Sequence, residues 1–63
     1  MNATIEYKDG RTETLPVKEI LADGHHCDIG TKKKVTRPEE PDRKVDGFII
    51  YAKDIRLVSI QYD

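Results

Sequence analysis

His25-His26-Cys27-Asp28 is the one place where this chain gathers side chains able to do chemistry. Neutral imidazole and thiolate are zinc ligands, and a thiolate beside an imidazole is the pair on which nucleophilic catalysis is built. The spacing argues against both. Neighbouring residues of a strand point to opposite faces, so only His25 with Cys27, or His26 with Asp28, can converge. A closed zinc site takes about four ligands, and the chain has no second histidine or cysteine cluster. His25 and Cys27 would be the ligands if a metal were bound, with a two-fold dimer supplying the rest. The expectation is no metal and no cofactor, with Cys27 and Ile29 packed inward and the histidines partly exposed. Catalysis fares no better. Nothing supplies an oxyanion site, and a chain of 63 residues leaves little room for a pocket. The adjacent carboxylates Glu39 and Glu40 fall in a stretch expected to be mobile, where preorganisation is poor. A non-enzyme is expected.

Lys32-Lys33-Lys34 is the densest positive run. In a strand Lys32 and Lys34 share a face and, with Arg37, Arg43 and Lys44, would make a basic patch able to meet phosphate or a partner's carboxylates. No aromatic residue interleaves with the lysines, so the stacking platform of a single-strand binder is missing. Eleven basic and twelve acidic side chains leave a net charge of −1, which gives no global attraction to nucleic acid. The four glycines are scattered, so there is no phosphate-cradling loop. Lysines on an exposed edge strand also have a plain role, discouraging strand-to-strand aggregation. Another protein is the expected partner, met by Lys32, Lys34, Arg37, Arg43 and Lys44. A nucleotide or nucleic acid on the basic strand 32–34 is the second reading.

The elements that must position these residues are mostly β. Ala3, Ile5 and Tyr7 alternate with polar residues, the period of a half-buried strand. Asp9-Gly10 follows, a pair suited to a two-residue turn with positive φ at both positions. Thr12 to Leu15 returns, pairing Tyr7 with Thr12 and Ile5 with Thr14 and setting Glu6 opposite Glu13. Residues 16–22 read two ways. Val17, Ile20 and Leu21 have helical spacing, Pro16 suits a first turn and Gly24 a stop, which favours a short helix; the other reading is a bent continuation of the strand with Pro16 at a bulge. His25 to Ile29 and Lys32 to Thr36 read as paired strands about Gly30. Residues 36–46 hold two prolines, seven charged residues and one apolar side chain, so an exposed charged loop is expected there. Phe48 to Ala52 should be a central strand, and Ile55 to Tyr62 the last.

Gly47-Phe-Ile-Ile-Tyr-Ala-Lys-Asp-Ile-Arg-Leu-Val-Ser-Ile60 resembles the closing strands of SH3-like small barrels, and Glu6-Tyr-Lys-Asp-Gly-Arg11 is similar to the opening hairpins of many small bacterial and phage β proteins. The resemblance implies a one-turn helical step before a short last strand. It implies a topology and no binding residues, since the aromatic ligand groove of eukaryotic SH3 domains is absent. The expected fold is all-β or mostly β: a small antiparallel sheet or SH3-like barrel of five to six short strands in a single domain over residues 1–63. The resemblance also suggests an inhibitor or adaptor acting on a host protein.

Both faces of the last strands are apolar. Ile49 and Tyr51 oppose Phe48 and Ile50, and Val58, Ile60 and Tyr62 oppose Leu57. A one-layer antiparallel sheet should have a polar outer face. A chain this short buries only about 60% of its unfolded surface, and its lone cysteine excludes an internal disulfide. A second copy covering Ile49, Tyr51, Val58, Ile60 and Tyr62 is therefore expected. A single thiol, no basic-then-apolar start and no apolar run near the roughly 20 residues of a membrane helix favour a cytoplasmic protein.

Overall fold

The alternation at the start of the chain does what period two demands. In β1 (Asn2–Tyr7) the side chains of Ala3, Ile5 and Tyr7 are buried, and those between them are not. A computed structural model describes all residues, 1–63. After β1 the chain turns at Asp9-Gly10. Gly10 N–H donates to the Tyr7 carbonyl at 3.1 Å, Tyr7 N–H donates to the Arg11 carbonyl at 2.9 Å, and Asp9 Oδ1 accepts from Arg11 N–H at 3.0 Å. Within this turn only Gly10 has positive φ, at 96°. This is a type I turn closed by a glycine bulge, not the mirror-image turn expected. The difference moves the register by one residue. Glu6 pairs with Thr12, Ile5 with Glu13 and Thr4 with Thr14. A one-residue slip turns every side chain of the returning strand to the other face. Glu13 therefore joins Ile5 on the core side and no longer opposes Glu6.

The returning strand, β2 (Thr12–Ala22), runs unbroken through the segment expected to be a short helix. Its first half pairs with β1, as far as Pro16 opposite Asn2. Its second half pairs with the next strand, Ile20 opposite Ile29 and Ala22 opposite Cys27. Val17 N–H donates to the Met1 carbonyl at 2.9 Å, and the register shifts between Val17 and Glu19. This bulge explains the misreading. One extra residue after Val17 brings Ile20 inward in place of Glu19, so a bulged strand imitates the three-residue step of a helix.

β3 (His26–Arg37) and β4 (Glu40–Tyr51) form a long hairpin joined at Pro38-Glu39. Two expectations fail here. Gly30 is not a turn but sits mid-strand opposite Gly47, and residues 36–46 are not a loop but the end of that hairpin. Val35 pairs with Val45 and Thr36 with Lys44. Pro41 falls in the register break between the Thr36 and Arg37 pairs, where its missing N–H interrupts no ladder. A 3-10 turn, η1 (Ala52–Asp54), leads into β5 (Ile55–Gln61), the helical step before a last strand that the resemblance implied.

The order across the sheet is β4-β3-β2-β1-β5, all neighbours antiparallel. β2 passes from one half of the sheet to the other, so the sheet bends around a core of Ala3, Ile5, Tyr7, Val17, Cys27, Ile29 and Ile50. β4 and β5 are the two edges, so Phe48 to Ala52, expected as a central strand, instead lies at the border of the sheet. No helix is long and apolar enough to cross a membrane.

Candidate functional site

Arg37 is the first surprise of the tertiary structure. Expected on an exposed loop, it is only 7% exposed. It stands at the end of β3, and its side chain reaches back to three other strands. Its two terminal nitrogens donate to the two Glu13 oxygens at 2.8 Å each, the fork geometry that suits a carboxylate. One of them also donates to the Tyr7 hydroxyl at 3.3 Å, and Tyr7 donates its own proton to Glu13. The guanidinium lies over the Phe48 ring, 3.8 Å from its centre. Its Nε is buried without a hydrogen-bond partner, with Glu39 Oε1 at 3.9 Å as the nearest counter-charge. This cluster ties β1, β2, β3 and β4 together.

Electrostatics follow the geometry. Burial works to raise the Glu13 carboxyl, but the hydrogen bonds from Arg37 and Tyr7 and the Arg37 charge outweigh it, and Glu13 titrates below the usual carboxylate range. Burial works to lower Arg37, and its bonds to Glu13 and Tyr7 reverse this, so its pKa lies above the ordinary value. Tyr7 is raised, first by burial and then by donating to Glu13.

The cluster fixes what the hairpin shows to solvent. Glu39, Glu40, Asp42, Arg43 and Lys44 are all exposed at its tip. Beside the tip, on the side of the sheet away from the core, exposed apolar side chains flank a carboxylate. Leu21, Asp28 and Ile49 are register partners across β2, β3 and β4, with Asp28 in the middle, and Tyr51 follows opposite His26. Leu21 is 62% exposed, Ile49 49% and Tyr51 52%. Gly30 and Gly47 are the next pair, with the Glu19 side chain lying over Gly30, and a depression of about 630 Å³ lined by Leu21, Ile49, Glu39 and Arg43 opens beside them.

The basic residues singled out in the sequence do not make one patch. Arg37 is in the core cluster. Arg43 Nε is 2.7 Å from Glu40 Oε2. Lys32 Nζ is 3.5 Å from Asp63 Oδ2, at the part of β3 where pairing with β4 is interrupted. Lys34 and Lys44 are exposed. The five residues expected at a dimer interface divide between two surfaces. Ile49 and Tyr51 lie on the outer side of β4. Val58 and Ile60 of β5 oppose the buried Ile5 and Ala3 and so face inward, and Tyr62 extends past the strand, 79% exposed. His25 sits in the turn before β3, while Cys27 points into the core with its thiol pushed up by burial. Histidine, cysteine and acidic side chains are nowhere grouped in threes as metal ligands. Sequence reasoning missed Glu13 and Tyr7 as partners of Arg37, since 24 residues separate Glu13 from Arg37 and only the turn register brings them together. It also missed Leu21, assigned to a helix.

Compared with protein-family models, curated proteins and solved structures, the chain matches none.

Proposed function

We propose that this protein is a small non-enzymatic protein-binding module, an inhibitor or adaptor of the cytoplasm, whose working surface is the outer side of β3 and β4 with the charged hairpin tip. The observation that carries the reading is the exposure of Leu21, Ile49 and Tyr51 around Asp28, beside a tip held in place by the Arg37–Glu13 cluster. Protein interfaces combine an apolar, aromatic centre with a polar rim. Here Ile49 and Tyr51 provide the centre, and Arg43, Lys44, Glu40 and Asp42 the rim. Charges of both signs at the rim select partners and set association rate more than they set affinity. A hairpin already fixed before binding loses little conformational freedom on contact, which favours affinity. The single buried thiol accords with a reducing compartment.

The test is capture of binding proteins by the wild type and by two surface variants that keep the fold. Ile49→Asp with Tyr51→Asp should abolish capture of a saturable partner. Arg43→Ala with Lys44→Ala should slow association and change its salt dependence. Arg37 is left intact, because its loss would act through the core. Capture that survives both double substitutions unchanged would refute the reading.

A further inference from the structure

The outer side of β2, β3 and β4 holds a carboxylate where an interface would have its apolar centre. Asp28 stands in register between Leu21 and Ile49, and Tyr51 is its diagonal neighbour on β4. The Asp28 side chain is half exposed, and only His26 Nε2 approaches it as a counter-charge, 3.9 Å from Oδ1. The other ring nitrogen of His26 is already 3.2 Å from Asp23 Oδ2. The depression beside Asp28 is acidic. Of the cations on its walls, Arg37 is bound to Glu13 and Arg43 to Glu40, which leaves Lys18 against Glu19, Asp28 and Asp46. No lysine or arginine pairs with any of these three carboxylates. Glu39, also on the wall, is 3.9 Å from Arg37 Nε. The stems of Lys18 and Glu19 lie over Gly30, whereas over Gly47 no side chain comes as close.

We infer that the protein partner of this surface presents an arginine side chain to Asp28, its guanidinium on the carboxylate and its stem over Gly47 against Ile49. The inference rests on the protein-binding reading above and names the chemistry of that partner. A partner that covers Leu21, Ile49 and Tyr51 must also cover Asp28, which lies among them. Sealing an ionised carboxylate from water without a counter-charge is strongly unfavourable. A wholly apolar or an acidic partner face is thereby rejected, and a cationic one is selected. Arginine suits the site better than lysine. Its planar fork donates two hydrogen bonds to one carboxylate. From Asp28 the guanidinium also reaches the neighbouring Tyr51, whose ring attracts cations to its face. Arginine is enriched in protein interfaces, where lysine is depleted. The open surface over Gly47 leaves room for the stem, and Ile49, 49% exposed, gives it an apolar wall.

The probe is the peptide acetyl-Ala-Leu-Arg-Leu-Ala-amide, compared with the same peptide carrying citrulline, which has the shape of arginine without its charge. Each is titrated into the full-length, nitrogen-15-labelled chain at low salt and followed by NMR. The arginine peptide should shift the backbone amides of Asp28, Gly47 and Ile49. It should bind about fivefold more tightly than the citrulline peptide, the ratio expected of a partly exposed ion pair. In Asp28→Asn, a half-exposed side chain of the same shape, the two peptides should bind alike. Equal binding of both peptides to the wild type overturns the inference. So does a difference that survives Asp28→Asn, a set of shifts that omits these three amides, or no shift with either peptide. The reading it rests on fails separately: if the arginine preference is absent but capture of a protein partner is still lost in Ile49→Asp with Tyr51→Asp, the surface binds a protein and the arginine is wrong.

Discussion

Replacing Glu13 by alanine tests whether the Arg37 cluster holds the fold together. The substitution removes both 2.8 Å bonds to a guanidinium whose side chain is 8% exposed. What remains to Arg37 is Tyr7 at 3.3 Å and the face of Phe48. Breaking a buried ion pair from one side costs about 3–5 kcal/mol, because the other charge stays buried and uncompensated. At the usual 0.05–0.15 kcal/mol per residue, a chain of 63 residues has a total stability of roughly 3–9 kcal/mol. Glu13→Ala should therefore be partly or wholly unfolded at room temperature. Arg37→Met should be milder, at about 1–3 kcal/mol. Its methylenes still cover Phe48, and the stranded Glu13, 24% exposed, can recover water. Glu13→Leu with Arg37→Met should regain most of the loss, since an apolar pair of similar volume leaves no buried charge. Urea titration followed by circular dichroism measures all three, with an unchanged slope confirming that the native state is otherwise intact. If Glu13→Ala lies within about 1 kcal/mol of wild type, or Arg37→Met is the more damaging, the cluster is not a structural tie and the reasoning fails.

Stability should vary with pH in two windows. Glu13 has a lowered folded pKa, so its contribution is present above the unfolded value of about 4.3 and is lost as pH falls through the folded value. Tyr7 has a raised folded pKa, so its contribution is present below about 10 and is lost as pH rises through the folded value. Thermal melts should show a plateau between these limits, and Glu13→Gln should flatten the acid side; an acid limb that is unaltered would count against the assignment. Gly10→Ala should cost roughly 1 kcal/mol although its side chain would touch nothing, because φ is 96° there. Gly47→Ala should also destabilise, for a different reason: the new Cβ would stand 3.2 Å from the Ile29 carbonyl oxygen, which is backbone and cannot swing aside. Equal melting temperatures for wild type and either variant would refute these two. Cys27, buried and with its thiol pushed up, should react with a disulfide reagent only as fast as the protein opens, and labelling at the rate of a free thiol would contradict its placement.

The mostly β fold was legible from local pattern, because strand faces obey a period of two that burial must respect. Ala3, Ile5 and Tyr7 declared β1, Asp9-Gly10 declared the first turn, the residues from Ile55 declared the last strand, and the step at Ala52–Asp54 followed from the resemblance. The same local information misled wherever pairing with a distant strand decided the outcome. Val17 and Ile20 have helical spacing, yet both stand on a bulged strand because β1 and β3 offer β2 a hydrogen-bonding partner along each half. Residues 36–46 have the composition of a loop, yet they form a hairpin because Val35 meets Val45 and Arg37 is anchored in the core. The site was less legible still. A cation among prolines and acids reads as solvated surface, and nothing in its spacing points to a carboxylate in another hairpin. The sequence alone determined the alternation, the turn residues and the shortage of material for a complete core. Which face Glu13 takes, and so whether Arg37 is surface or core, was decided by tertiary structure, because a register shift of one residue exchanges the two faces of a strand.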